Sequence, residues 1–227
     1  MTAADSVTPG AGTAEHGPPA GTAEHASHGP VAGTAEHASH GPVAGRIGSG
    51  PVTPAAVSDL IAAHVIDVPD FPKPGVGFKD LTPLFSNGPA FAQVIDAIAT
   101  EYGGAFDVVA GIEARGFVLA AAVAYASGAG LVPIRKAGKL PRKTVSAAYA
   151  LEYGEAVLEV HADAFEPGAR VLLLDDVLAT GGTAAAAISL VEQAGGRVVG
   201  FSVLMELAFL DGRARLPEQE VHALLTV

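Results

Sequence analysis

The sequence predicts an α/β fold, a mostly parallel sheet with helices on both faces, and three observations support it. Val108-Val109-Ala110-Gly111, Leu131-Val132-Pro133-Ile134, Val171-Leu172-Leu173-Leu174 and Val198 to Met205 are short, almost uncharged apolar runs, as in strands buried on both faces. Before and between them, apolar residues recur at helical spacing: Phe91, Val94, Ile95 and Ile98, then Ala184, Ala187, Ile188, Val191 and Ala194. Strand and helix then alternate along most of the chain, the pattern of parallel strands joined by crossover helices.

With 227 residues the chain is long enough for one domain with a sizeable core. Cysteine is absent, which excludes a disulfide framework, a thiolate nucleophile and a zinc–thiolate site. The formal net charge is −11, and the first 45 residues contribute four acids with no Lys or Arg, so seven of the negative charges belong to the remainder. Such a chain is a poor partner for nucleic acid, and its few cations are expected where an anionic ligand sits. No basic start followed by an apolar stretch marks a secretory signal, so a cytoplasmic location is expected. Gly116 to Ile134 is uncharged, but Ser127-Gly128-Ala129-Gly130 interrupts it; helix, turn and strand fit better than a membrane span.

Residues 1–50 differ in kind. Gly21 to Ala32 recurs without change as Gly33 to Ala44, after a truncated copy from Gly12 to Ala20. Gly, Pro, Ala and Thr dominate and large apolar residues are scarce, so little burial is available to offset the entropy of ordering. Residues 1–50 are therefore expected to be a disordered extension, and 51–227 the folded domain. Five of the eight histidines lie in the repeats, and a solvated segment is the favoured reading over weak metal binding.

In the folded part, Val57, Leu60, Ile61, His64 and Val65 form one helical stripe ended by Pro69, with His64 expected to be partnered rather than a ligand. Asp70 to Asp80 is too rich in Pro and Gly for a regular element. Helices are expected at Phe91–Tyr102 and Phe117–Ala126, and strands at Asp107–Gly111 and Leu131–Arg135. The polar stretch Arg135 to Ala147 precedes a hairpin of Tyr149–Tyr153 and Ala156–His161, and Val221 to Val227 closes the sheet as an edge strand.

The chemistry concentrates at three strand ends. The run Val171–Leu174 stops at Asp175-Asp176, and Val177-Leu178-Ala179-Thr180-Gly181-Gly182-Thr183 leads into a helix. Backbone N–H groups at a helix start suit a phosphate, and Gly181 and Gly182 let the chain approach it closely. Two acids cannot neutralise a phosphate, so they serve sugar hydroxyls, a metal ion or both; together the parts imply a phosphorylated sugar. Arg115, in Glu113-Ala114-Arg115-Gly116, offers a planar fork for phosphate oxygens. Arg135, Lys136, Lys139, Arg142 and Lys143 crowd one stretch without an acid, so that loop is expected to be mobile until an anion arrives.

The eleven residues Leu173 to Thr183 resemble the phosphoribosyl-pyrophosphate (PRPP) signature of the type I phosphoribosyltransferases, in the version closest to the adenine-specific branch. Ala110 to Phe117 is similar to that branch's pyrophosphate loop, Pro133 to Arg142 to its basic mobile loop, Leu151-Glu152-Tyr153-Gly154 to its hood, and Phe71 to Asp80 to its adenine-contacting segment. The resemblance spans about Val65 to Met205. It implies transfer of the phosphoribosyl group of PRPP to adenine, giving AMP and pyrophosphate, with Mg²⁺ as cofactor and a homodimer as the usual assembly. It further implies ribose and possible metal contacts from Asp175 and Asp176, and a 5′-phosphate cradle of Ala179, Thr180, Gly181, Gly182 and Thr183. Pyrophosphate would fall to Arg115, Lys136, Lys139 and Arg142, the latter three closing over it. Adenine would lie against Phe78, read by the backbone at Gly77 and Lys79, and Glu152 would carry the purine proton, with Arg115 and Glu152 as the catalytic pair. Many relatives have Arg at Lys79, which leaves another purine base open as substrate; a PRPP-sensing regulator of the same fold is the other alternative.

Overall fold

The computed structural model describes residues 53–150 and 155–227. The predicted disordered extension, residues 1–50, and Glu152 lie outside them.

A seven-stranded sheet organises the chain. Its strands are β3 (Val108–Ile112), β4 (Gly130–Lys136), β5 (Thr144–Ala150), β6 (Glu155–His161), β7 (Arg170–Leu178), β8 (Arg197–Glu206) and β9 (Val221–Thr226), in the order β5-β6-β4-β3-β7-β8-β9. From β4 to β9 all neighbours are parallel; β5 and β6 form an antiparallel hairpin at one edge. A separate two-stranded ribbon pairs β1 (Ile66–Val68) with β2 (Phe78–Asp80).

Helices cover both faces, as expected for a parallel sheet. Helices α1 (Pro54–Ala62), α3 (Gly88–Tyr102) and α4 (Gly116–Ser127) pack on one side, with the short α2 (Thr82–Ser86) beside α3; α5 (Gly182–Gln193) packs on the other. The alternation along β7 shows how one apolar run serves two cores. Val171 and Leu173 join the core under α5, whereas Leu172 and Leu174 join the core under α3 and α4, and all four have no solvent exposure. The predicted stripe on α1 is half realised, since Val57 and Ile61 are buried but the helix ends at Ala62. His64 lies beyond it, its Nδ1 donating to Leu60 O at 2.8 Å and its Nε2 accepting from the Asn87 amide at 3.0 Å, so it is partnered as expected.

Four expectations need correction. Phe78–Asp80 is a strand despite the Pro/Gly-rich approach to it, because pairing with β1 supplies backbone partners. Helix α3 begins at Gly88, three residues early, where Asn87 accepts the Ala90 N–H and Pro89 sits in the first turn. β5 begins at Thr144, so the basic stretch ends at Lys143. The sheet also continues through the twin acids, with Asp175 opposite Val203 and Leu178 opposite Glu206.

Candidate active site

The chain runs from β3 through α4 to β4 on one side, and from β7 through α5 to β8 on the other. Strand order therefore reverses between β3 and β7, and the carboxyl ends of those two strands open a crevice of the kind that binds ligands in open α/β sheets. Both crossover helices start at this crevice. Neither has a side-chain cap: Arg115 precedes α4, and Gly181, at φ 79°, precedes α5. Backbone N–H groups at the start of α5 thus remain available to an anion, whereas at α4 Phe117 and Val118 already donate to Ala114 O and Arg115 O at 3.2 and 3.1 Å. Gly116 is required where α4 meets β7, because a Cβ there would stand 2.7 Å from Leu174 O and 3.2 Å from Asp175 Oδ1.

A cavity of about 80 Å³ lies at the end of β7, lined by Asp175, Val177, Leu178, Ala179, Thr180, Gly181, Thr183, Ala184 and Phe201. The predicted phosphate loop and the first acid therefore share one hollow. Burial pushes the Asp175 carboxyl well above the ordinary carboxylate range, and the neighbouring Asp176 charge adds to the rise. Asp176 is 5% exposed; burial raises it too, partly opposed by Arg115. Arg115 Nε approaches Asp176 Oδ2 at 2.7 Å, yet that oxygen has no aligned hydrogen bond, so the contact is one of charge. The same guanidinium lies 5.1 Å from the centre of the Phe78 ring, and Phe71 meets Phe78 edge-on at 5.0 Å. Arg115 thus joins the predicted base segment to the twin acids. Phe71 opens the segment likened to the adenine-contacting one but had no role of its own in the sequence reading, and a local turn, closed by the Phe71 N–H donating to Val76 O at 3.0 Å, brings it beside Phe78.

The other predicted residues divide. Gly77 has open space around it, leaving its backbone approachable. Lys79 pairs with Asp67 across the β1–β2 ribbon. Lys136 and Lys139 form no ion pair among the described residues, whereas Arg142 pairs with Asp163. The expectation of a stretch without acids holds only within the stretch, because neighbouring segments supply them. Glu113 accepts from Arg135 Nε at 3.3 Å and from the Lys136 N–H at 3.0 Å, and Glu159 accepts from the Gly138 N–H at 3.0 Å. For Glu113 burial works against ionisation, but the Lys136 N–H and the Arg135 charge outweigh it and hold the carboxyl below its usual value.

A mostly parallel sheet with twin acids, an arginine fork and an uncapped Gly/Thr loop at its switch point defines a phosphoribosyltransferase, and the phosphoribosyl transferase domain profile matches residues 85–223. Adenine phosphoribosyltransferases of Salinispora arenicola and Acidothermus cellulolyticus are 67% identical over 173 residues and 58% identical over 175 residues, spanning 76% and 77% of this chain and 92% and 99% of theirs. The crystal structure of the Thermoanaerobacter pseudethanolicus enzyme superposes with a TM-score of 0.72 at 46% identity, covering 74% of this chain and 99% of that one. The Saccharomyces cerevisiae enzyme, complexed with an imino-altritol bisphosphate and adenine, gives 0.72 at 39% identity, covering 75% and 99%. The chain belongs to the adenine phosphoribosyltransferases, glycosyltransferase-class enzymes that move the phosphoribosyl group of PRPP onto adenine. Phosphoribosyltransferases generally take PRPP with Mg²⁺. No helix among the described residues is long and apolar enough to cross a membrane.

Proposed function

We propose the following division of labour for the conversion of adenine and PRPP to AMP and pyrophosphate in this chain. The 5′-phosphate sits in the loop Ala179-Thr180-Gly181-Gly182-Thr183, on the open N–H groups of α5. Asp175 and Asp176 hold the ribose hydroxyls. Among the described residues no group of three or more acids, histidines or cysteines offers an all-protein cage. A carboxylate pair at a strand end instead suits a Mg²⁺ that keeps several waters and shares substrate oxygens, and Asp175 and Asp176 would hold it. Bound there, the ion would neutralise charge on the departing pyrophosphate.

Arg115, at the start of α4, takes the pyrophosphate, exchanging Asp176 for phosphate oxygens. Lys136 and Lys139 assist from the β4 end, and Arg142 joins once released from Asp163. These cations stabilise the leaving group as positive charge builds on the ribose. Phe78 backs the adenine, and Glu152 is our choice for the purine proton, on its place in Leu151-Glu152-Tyr153. A homodimer would pair through α4; the support is its Val118 and Tyr125, 44% and 76% exposed on one helical stripe. Residues 1–50 stand outside this machinery as an extension, supported by relatives matched almost end to end by three quarters of the chain. A cytoplasmic location follows from the substrates, which are intracellular metabolites.

The observation behind this reading is the meeting of twin acids, Arg115 and the uncapped start of α5 at one switch point. PRPP and Mg²⁺ offered with adenine, hypoxanthine, guanine and xanthine in turn should give product from adenine, equally from the full chain and from residues 51–227. Comparable product from another base would overturn the base assignment.

A further inference from the structure

Behind the phosphate loop, two backbone segments touch with no space for a side chain on either. A Cβ added to Gly181 would lie 2.2 Å from the Gly212 carbonyl oxygen, and one added to Gly212 would lie 2.2 Å from the Ala179 carbonyl oxygen. Gly212 opens a 3₁₀ turn, Gly212–Arg215, far from the loop in sequence.

That turn is fastened at both ends. Arg213 Nε and Nη2 donate to the two carboxylate oxygens of Glu206 at 2.7 and 2.8 Å, while its Nη1 donates to Val221 O at 2.8 Å. Glu206 is 6% exposed and ends β8, where its backbone pairs with Leu178 of β7 and Thr226 of β9. On the far side, Leu216 is buried in the core that α5 covers. One guanidinium therefore ties the turn to the last residue of β8 and the first of β9, and Gly212 passes that constraint to Ala179 and Gly181.

We propose that Gly212 and Arg213 are positioning residues for the 5′-phosphate, forming a backstop that sets the loop Ala179–Gly181 in its anion-binding shape. The proposal rests on the reading that this loop takes the 5′-phosphate. N–H groups aimed at an anion act at full strength only when fixed before it arrives, and a loop containing Gly181 and Gly182 does not fix itself. The backstop touches the loop from behind, so its effect should be confined to ligands bearing that phosphate.

The test measures binding of ribose 5-phosphate, AMP, pyrophosphate and adenine separately to the full chain. Gly212→Ala should weaken ribose 5-phosphate and AMP about tenfold, since a Cβ 2.2 Å from Ala179 O forces the loop to move and a misplacement of about 1 Å costs that much or more. Pyrophosphate and adenine should stay within about twofold, as neither meets the loop. Arg213→Lys, which keeps the cation but loses the three-way fork, should weaken the same two ligands about threefold, and it reads the same effect should Gly212→Ala fail to fold. Thr180→Ala, within the loop, is the reference. If Thr180→Ala weakens ribose 5-phosphate and both backstop variants leave it unchanged, the backstop is wrong and the phosphate loop stands. If Thr180→Ala also leaves it unchanged, the loop reading itself falls. Equal loss of pyrophosphate binding in the backstop variants would contradict a local role.

Discussion

Helices α1 and α3 begin with caps, and helices α4 and α5 begin without them. Thr53 Oγ1 accepts the Ala56 N–H at 3.3 Å and Asn87 Oδ1 accepts the Ala90 N–H at 3.1 Å, whereas nothing of the kind stands before Gly116 or Gly182. A missing cap costs a helix about 0.5–2 kcal/mol. Apart from the five-residue α2, whose first N–H donates to Asp80 Oδ1, the uncapped helices are the two that open onto the switch point, and at α5 a capping side chain would occupy the N–H groups a phosphate needs. The acids show the same division. Asp107, at the opposite end of the sheet, receives the Arg170 fork and its backbone N–H, and those hydrogen bonds hold its carboxyl down to about 2. Asp175 and Asp176 are raised instead, by burial that Arg115 only partly offsets. Asp107 has its carboxylate satisfied, whereas the twin acids at the crevice are left short of partners.

The largest expected effect comes from neutralising the twin acids. Asp175→Asn should lower kcat/KM by about a hundredfold or more, measured as AMP formation. The sign for stability is opposite. A carboxyl raised in the folded state contributes stability at low pH that is lost as pH rises through its folded value, so the variant should have a higher Tm than the parent near neutral pH. By the same reasoning the parent's PRPP affinity should fall on mild acidification, before ordinary carboxylates titrate, and the variant should lose that inflection. An unchanged Tm difference from pH 5 to 8 would contradict the raised carboxyls.

Placing an acid at the open helix start sharpens the comparison next. Thr183→Asp should stabilise the protein by about 0.3–1 kcal/mol through the α5 dipole, while raising the KM for PRPP about tenfold or more by occupying the anion site. Stabilisation without loss of PRPP affinity would mean that α5 does not face the phosphate. The smallest effect belongs to a capped helix, α3. Asn87→Ala removes the α3 cap and the partner of His64 Nε2, and should cost about 1–2 kcal/mol in denaturant unfolding with kcat and both KM values unchanged.

Much of this was legible in the chain because it is local. The strand, acids, glycines and helix of residues 171–194 follow one another directly, so apolar runs and helical spacing locate them, and the alternation of elements implies the parallel sheet. What was missed depends on distant partners. β2 is a strand only because β1 lies beside it. The acids that engage the basic stretch, Glu113, Glu159 and Asp163, come from three other segments. Gly212 touches Gly181 across 30 intervening residues, and Glu206 looks like any surface acid until Arg213 is folded onto it. One local signal was overlooked: Asn87 followed by Pro89 already marks a helix start.

Soaking or co-crystallisation with AMP, which carries both the base and the 5′-phosphate, tests the central claim most directly. The account predicts the phosphate within hydrogen-bond distance of the N–H groups at Gly181 to Thr183, the ribose hydroxyls at Asp175 and Asp176, and the adenine ring against Phe78. A phosphate bound at Gly116 or outside the β3–β7 crevice would contradict it.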